Sequence, residues 1–243
     1  MTTPWLAGVD GCKGGWVVTL VEAVGDDVRV CAVSQFGDIM ALPEQPRIIA
    51  LDIPIGLPAR IGADGRGPEH AVRELLGRRK PSVFPVPSRA AVYAKNFSDA
   101  RRIALATSDP PKSCTKQLFM LASKIREVDT YLRAVPQAAS LVYETHPELA
   151  FWRLNGGRPL PEPKKVKSRP HSPGLALRRA LLAKDGFAAR AFAQKPPRGA
   201  AEDDLLDAFA CAAIARRIHA GTARPFPDPP LRDEYGLSIA IWA

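Results

Sequence analysis

Five acidic residues share one feature: each ends an apolar run or lies near the start of a helical pattern. They are Asp10, Asp52, Glu144, Asp204 and Asp207. The runs that precede Asp10 and Asp52 read as strands, because they are short, apolar and bounded by turn residues. Carboxylates that meet at strand ends can ligate a hard cation or move a proton.

Several of these acids also have a purely structural interpretation. Asp10 begins an Asp-Gly pair, which favours a turn, and Asp52 could accept hydrogen bonds from its own proline-rich turn. In ETHPELAFW, Thr145 and Glu148 fit a capping box, so Glu148 is assigned a structural role, and the neighbouring His146 is interpreted as solvated or held by a local hydrogen bond. Glu144 ends a buried strand and has no such explanation.

The last predicted helix, over residues 202–220, carries four acids near its start. Glu202 and Asp203 are explained by the helix dipole, which favours negative charge in the first turn. Asp204 and Asp207 begin an otherwise apolar stripe that we expect to face the core. Two carboxylates one turn apart at the open end of that stripe favour a cation.

Parallel neighbouring strands would bring the strand-end acids together, and the last helix would cover them. Oxygen ligands with few histidines suit Mg²⁺ or Mn²⁺ better than zinc. Two such ions about 4 Å apart can activate water and stabilise the leaving oxygen in phosphodiester cleavage. We expect Asp10, Asp52, Asp204 and Asp207 to ligate the ions, with Glu144 completing the catalytic set or orienting water.

The pattern of elements predicts a single α/β domain over residues 1–243. Three antiparallel strands form a meander, and parallel strands at residues 48–51 and 140–144 complete a mixed central sheet flanked by helices. A mainly helical insertion occupies residues 59–138, and a basic loop rich in proline and glycine occupies residues 155–174. The closing LSIAIWA reads as an edge strand.

The composition fits a nucleic-acid partner. The net charge is +9 and the pI is near 9.7, and clustered cations attract phosphate backbones. The candidate phosphate contacts are Lys13, Arg73, Arg78, Arg79, Lys80 and Arg89. No apolar run approaches the roughly 20 residues of a membrane span, no secretory signal is visible, and four scattered cysteines fit a reduced, cytoplasmic protein.

Five segments spread over most of the chain carry a family resemblance. They are GVDGCKGGW, LDIPIGLP, LLGRRKPSVFPVP, YETHPELAF and DDLLDAFACAAIA. With them the chain resembles the domain of unknown function 429 family, whose members are predicted ribonuclease H-like nucleases. The resemblance implies the ribonuclease H-like fold and metal ligands at Asp10, Asp52, and Asp204 or Asp207. The basic loop KKVKSRPHSPG is longer than the compact lysine-rich turn associated with that family.

Three functions remain open from the sequence. The first is a metal-dependent nuclease acting by a two-metal-ion mechanism on DNA, RNA or a branched substrate. The second is an ATP-dependent phosphotransferase of the related actin-like fold, since the glycine-rich turn after Asp10 could cradle phosphates. The third is a non-catalytic nucleic-acid-binding protein. A role at branched DNA would require a homodimer, and the sequence leaves the oligomeric state open.

Overall fold

The computed structural model describes residues 3–243, and its centre is a five-stranded mixed sheet. The strands are β1 (Trp5–Cys12), β2 (Gly15–Glu22), β3 (Val28–Val33), β4 (Ile49–Leu51) and β5 (Val142–Glu144). Their order across the sheet is β3-β2-β1-β4-β5. Strands β1 to β3 form an antiparallel meander, and β4 and β5 run parallel to β1. The predicted α/β class with a mixed central sheet is confirmed.

Helices flank this sheet. They are α1 (Phe36–Met40), α2 (Pro68–Arg73), α3 (Arg89–Val92), α4 (Phe97–Ala106), α5 (Lys116–Ala134), α6 (Pro147–Leu154), α7 (Ser172–Lys184), α8 (Ala189–Phe192) and α9 (Glu202–His219). Two 3₁₀ helices, Glu74–Ser82 and Pro136–Ser140, lie between them. The segment from α2 to α5 is helical but repeatedly interrupted, as its prolines and glycines predict.

Each face of the sheet packs against its own set of helices. Because successive side chains of a strand point to opposite faces, Leu6 packs with α6, α7 and α9, whereas the next residue, Ala7, packs with α1 and α5. Both residues are fully buried. The apolar layers on the two faces fix the position of the sheet, including the part where β4 ends beside β1.

Helix α9 lies unusually close to β1, and Gly8 makes this possible. A Cβ atom on Gly8 would lie 2.0 Å from the backbone nitrogen of Ala212 and 2.1 Å from the carbonyl oxygen of Ala208. Only a glycine leaves room for the helix backbone there. This close approach places the first turns of α9 near the end of β1.

Two smaller hairpins complete the fold. Within the basic loop, β6 (Lys165–Val166) pairs with β7 (Arg169–Pro170). The closing LSIAIWA does form a strand, β9 (Ser238–Trp242), but its partner is β8 (Pro225–Arg232) rather than a strand of the central sheet. A single parallel bridge between Thr145 and Trp242 joins this ribbon to the end of β5. No helix within residues 3–243 is long and apolar enough to cross a membrane.

Candidate active site

Three of the predicted acids meet where β4 ends beside β1: Asp10 lies within β1, Asp52 directly follows β4, and Asp207 belongs to α9. The two strands are parallel, with Val9 opposite Leu51, so Asp10 and Asp52 follow side by side. The backbone N–H of Asp52 donates to the carbonyl oxygen of Val9 at 3.0 Å, and the two carboxyl groups are close enough to hydrogen-bond. Asp207 reaches them from α9. The structure therefore brings three carboxylates from three separate segments to one place.

Burial and mutual repulsion dominate the electrostatics of this group. The pKa of Asp10 is raised well above its usual value, first by burial and then by the charges of Asp52 and Asp207. Burial likewise raises the pKa of Asp52. It raises the pKa of Asp207 to about 6, although the adjacent Lys164 ammonium opposes the shift. Like charges held this close are unfavourable without a cation.

Lysines of the basic loop supply positive charge on the α9 side of the group. Lys164 Nζ donates to Asp207 Oδ2 and lies 3.7 Å from Asp203 Oδ2. Lys165 Nζ lies 2.6 Å from the same Asp203 oxygen. These lysines were not predicted as site residues, because their distance along the chain from the acids gives no signal of contact.

The structure places Asp203, rather than Asp204, against the lysines. Asp203 is only 3% exposed, whereas the Asp204 carboxylate accepts a hydrogen bond from the Ala201 backbone N–H at 2.8 Å and caps α9. Asp203 lies in the first turn of α9 as predicted, but its carboxylate also pairs with Lys165. Spacing alone does not choose between the two acids, since Asp203 and Asp204 lie four and three residues before Asp207 and both can share a helix face with it.

Glu144 lies in a buried ion network at the wall of the cavity that Asp10 and Asp52 also line. Its carboxylate accepts from Arg66 Nη2 at 2.5 Å and from the Ile55 backbone N–H at 2.8 Å. Arg66 also pairs with Glu69 at 2.7 Å. Burial raises the pKa of Glu144 to about 7, while Arg66 opposes the shift. Glu144 thus has the structural partner that the sequence did not show.

A cavity of about 140 Å³ opens beside Asp10 and Asp52. His146 also lines it, with Nε2 3.3 Å from the Ser82 carbonyl oxygen and a buried Nδ1 that has no partner among the described residues. Its position next to Asp52 opposes the burial-driven rise in the pKa of that carboxyl group. Lys124 lines the wall next to Asp10.

The predicted capping box at this position is wrong. His146, rather than Thr145, is the N-cap of α6, and the Thr145 hydroxyl instead donates to the Trp242 carbonyl oxygen at 2.9 Å. Glu148 forms a buried ion pair with Arg178 at 2.5 Å. Both side chains prefer tertiary partners that sequence spacing cannot reveal. The imidazole, predicted to be solvated or locally hydrogen-bonded, lies in the cavity beside Asp52, with Nε2 near the Ser82 carbonyl oxygen.

The six predicted phosphate contacts have different surroundings. Arg89 is nearly buried in an ion network with Asp129 and Asp233, so we no longer assign it to phosphate. Arg73 donates to the Val83 carbonyl oxygen at 2.6 Å, and Lys80 pairs with Glu74 at 2.5 Å. The other three are Lys13 and Arg78, which are exposed, and Arg79, which is half-buried.

The donor chemistry at the cavity fits one divalent ion. Within residues 3–243, no three or more Asp, Glu, His or Cys side chains form a ready metal-binding group. Mg²⁺, however, is commonly held by one or two carboxylates together with phosphate oxygens of the substrate. Asp10 and Asp52 are such a pair: both line the cavity, and each repels the other's charge. The Mg²⁺ or Mn²⁺ site stays a prediction.

Comparison with known proteins gives one match. The sequence matches the model of a family described as "Protein of unknown function (DUF429)" over residues 8–232. No curated protein and no solved structure matches the chain.

Proposed function

We propose that this chain, which belongs to the DUF429 family of proteins of unknown function, is a divalent-metal-dependent nuclease. It would hydrolyse phosphodiester bonds in nucleic acid. The observation that carries the proposal is the meeting of Asp10, within β1, and Asp52, directly after the parallel strand β4, with Asp207 of α9 close enough for its charge to act on both. Hydrolysis of phosphodiesters by metal ions needs such a carboxylate group beside an open cleft.

The finer fold assignment is part of this proposal. An antiparallel three-strand meander, two strands parallel to the first and a long last helix across the sheet are the features expected of the ribonuclease H-like fold. The acids lie on the first strand, directly after the fourth and on the last helix. That distribution supports a ribonuclease H-like nuclease.

The chain's own residues would divide the chemistry as follows. Asp10 and Asp52 would hold the ion, and a bound ion supplies positive charge to a phosphate oxygen. His146 lies beside Asp52 with an Nδ1 that has no partner within residues 3–243, so it can accept or donate a proton in the cavity. Lys124 donates to the carbonyl oxygen of Gly15, which fixes the β1–β2 turn next to Asp10.

Nucleic acid is the polyanion that the charge of this protein favours. The net charge is +9, and Lys13 is an exposed cation in the β1–β2 turn, three residues after Asp10. Contacts of this kind position a phosphate backbone without reading its sequence. The proposal therefore names nucleic acid as the substrate class and leaves the strand type to experiment.

Cleavage assays test the proposal directly. The purified protein should cut at least one of single-stranded DNA, duplex DNA, RNA, an RNA–DNA hybrid or a branched junction with Mg²⁺ or Mn²⁺, and none with EDTA. Asp10→Asn should abolish cleavage, whereas Asp64→Asn, at an exposed acid, should retain it.

Two results would contradict the nuclease. One is the absence of metal-dependent cleavage across the whole panel, and the other is equal cleavage by wild type and Asp10→Asn. Metal-independent nucleic-acid binding without cleavage would instead support the non-catalytic alternative. Saturable ATP binding that stabilises the protein would support a phosphotransferase.

A further inference from the structure

Two pairs of acids divide the site into two halves. Asp10 and Asp52 line the cavity, whereas Asp203 and Asp207 do not. The second pair instead faces two lysines: Lys164 contacts Asp207, and Lys165 lies 2.6 Å from Asp203. Glu69 and Glu144 also line the cavity, but Arg66 pairs with both of them. Two negative and two positive charges therefore lie together on the α9 side, whereas Asp10 and Asp52 remain adjacent to each other on the cavity side.

Lys164 stands between the two halves. Its ammonium contacts Asp207 and also acts on Asp10, and these two acids raise the pKa of Lys164 although burial alone would lower it. The side chain is about a third exposed and stays protonated at any physiological pH. It thus places one fixed positive charge among the carboxylates.

The backbone around Lys164 is held firmly by α7. A Cβ on Gly174 would lie 1.8 Å from the carbonyl oxygen of Pro163, so the first turn of the helix rests directly on the residue before Lys164. Arg178, fully buried, donates to the Glu162 carbonyl oxygen at 3.1 Å. The His171 backbone N–H donates to the Lys164 carbonyl oxygen at 2.9 Å. These contacts make Lys164 a built part of the site.

Building on the proposed nuclease function, we propose that the Lys164 ammonium is the resident second cation of this centre. The carboxylates that would complete a second metal site, Asp207 and Asp203, are already neutralised by lysines. The centre would then take one divalent ion, held by Asp10 and Asp52, and the lysine would supply the positive charge that a two-ion site obtains from its other metal.

Counting bound Mn²⁺ tests this proposal without relying on activity. The full chain is titrated with Mn²⁺ while the EPR signal of the free ion is recorded. Wild type should bind one ion per chain, and Lys164→Met should bind two. Lys164→Arg keeps the charge and should bind one. The matched control Lys167→Met, at an exposed lysine of the same loop, should also bind one.

A second pair of variants tests the same point where Lys164→Met fails to fold. Since Asp207 is engaged by Lys164 and not by the ion, Asp207→Asn should keep one Mn²⁺ with a Kd within about threefold of wild type. Asp52→Asn should weaken that ion at least tenfold. A loss of Mn²⁺ in Asp207→Asn equal to the loss in Asp52→Asn would overturn the division into two halves.

The outcomes separate the two proposals. Two ions in wild type, or one ion in folded Lys164→Met, would overturn the role of Lys164 and leave the metal-dependent nuclease standing. No Mn²⁺ bound to wild type would overturn the nuclease proposal itself, and the role of Lys164 with it.

Discussion

Replacing Gly8 with alanine should disrupt the close packing of α9 against β1, the strand that carries Asp10. The added Cβ would lie 2.0 Å from the Ala212 backbone nitrogen and 2.1 Å from the Ala208 carbonyl oxygen. An ordinary contact needs about 3.5 Å, so the helix would have to retreat by roughly 1.5 Å. Both obstructing atoms are backbone of a buried helix, and no side-chain rotation can relieve the overlap.

The expected cost follows from this geometry. Inserting one carbon into a packed core typically costs about 1–3 kcal/mol. Because a backbone must move here, we expect the upper end, about 3 kcal/mol of unfolding free energy. With a urea m-value of about 3 kcal/mol/M, at the upper end of the usual range because the chain is long, the unfolding midpoint should fall by about 1 M.

Urea unfolding followed by circular dichroism measures this change. Gly62→Ala is the matched control, because a Cβ at Gly62 would meet nothing within 4 Å. Its unfolding free energy should stay within about 0.5 kcal/mol of that of wild type, as is usual for surface substitutions. A loss below about 1 kcal/mol for Gly8→Ala would refute the close packing of α9 on β1.

Three further changes test the charges around the site. The raised pKa of Glu144, about 7, lies above its unfolded value of about 4.3, so the folded state binds that proton more tightly. The unfolding free energy should therefore fall as the pH rises from about 4.5 to 7. Urea titrations at several pH values should show a smaller fall for Glu144→Gln, and an equal fall in both proteins would contradict the raised pKa. Arg178→Met leaves Glu148 buried and unpaired and should lower the unfolding free energy in urea by about 3 kcal/mol. Arg179→Met, whose ion pair is more exposed, should lower it by less than about 1 kcal/mol, and equal losses would argue against the buried pair. Because the pKa of Asp10 is raised, its charge destabilises the metal-free fold at neutral pH, and Asp10→Asn should raise the Tm in EDTA. A lower Tm would show that the carboxylate has a stabilising partner.

The central sheet was predictable because its signals are local. Strands β1 to β4 are short apolar or alternating runs bounded by turn residues, and such patterns fix the element type wherever they stand in the fold. The place of β9 was not predictable in the same way. A short apolar run predicts a strand, but which strand it pairs with depends on tertiary contacts.

The site was predictable only in part, for a related reason. Asp10 and Asp52 follow from strand ends and parallel pairing, which the order of elements indicates. Which of Asp203 and Asp204 faces the site depends on how α9 is rotated about its own axis. Spacings of three and four residues both belong to one helix face, so the sequence pattern does not decide between the two acids. Lys164 contacts Asp207, which lies 43 positions further along the chain, and Arg66 contacts Glu144, which lies 78 positions further. No local pattern reports such pairings.

The Mn²⁺-induced shift in Tm tests most directly whether Asp10 and Asp52 form a metal centre. At a concentration 100 times the Kd, a bound ion stabilises by about 2.7 kcal/mol. For a chain of this length that corresponds to a rise of about 5–10 °C. Wild type and the exposed-acid control Asp64→Asn should show this rise, and Asp10→Asn and Asp52→Asn should lose it. An equal rise in all four proteins, or none in wild type, would contradict the account.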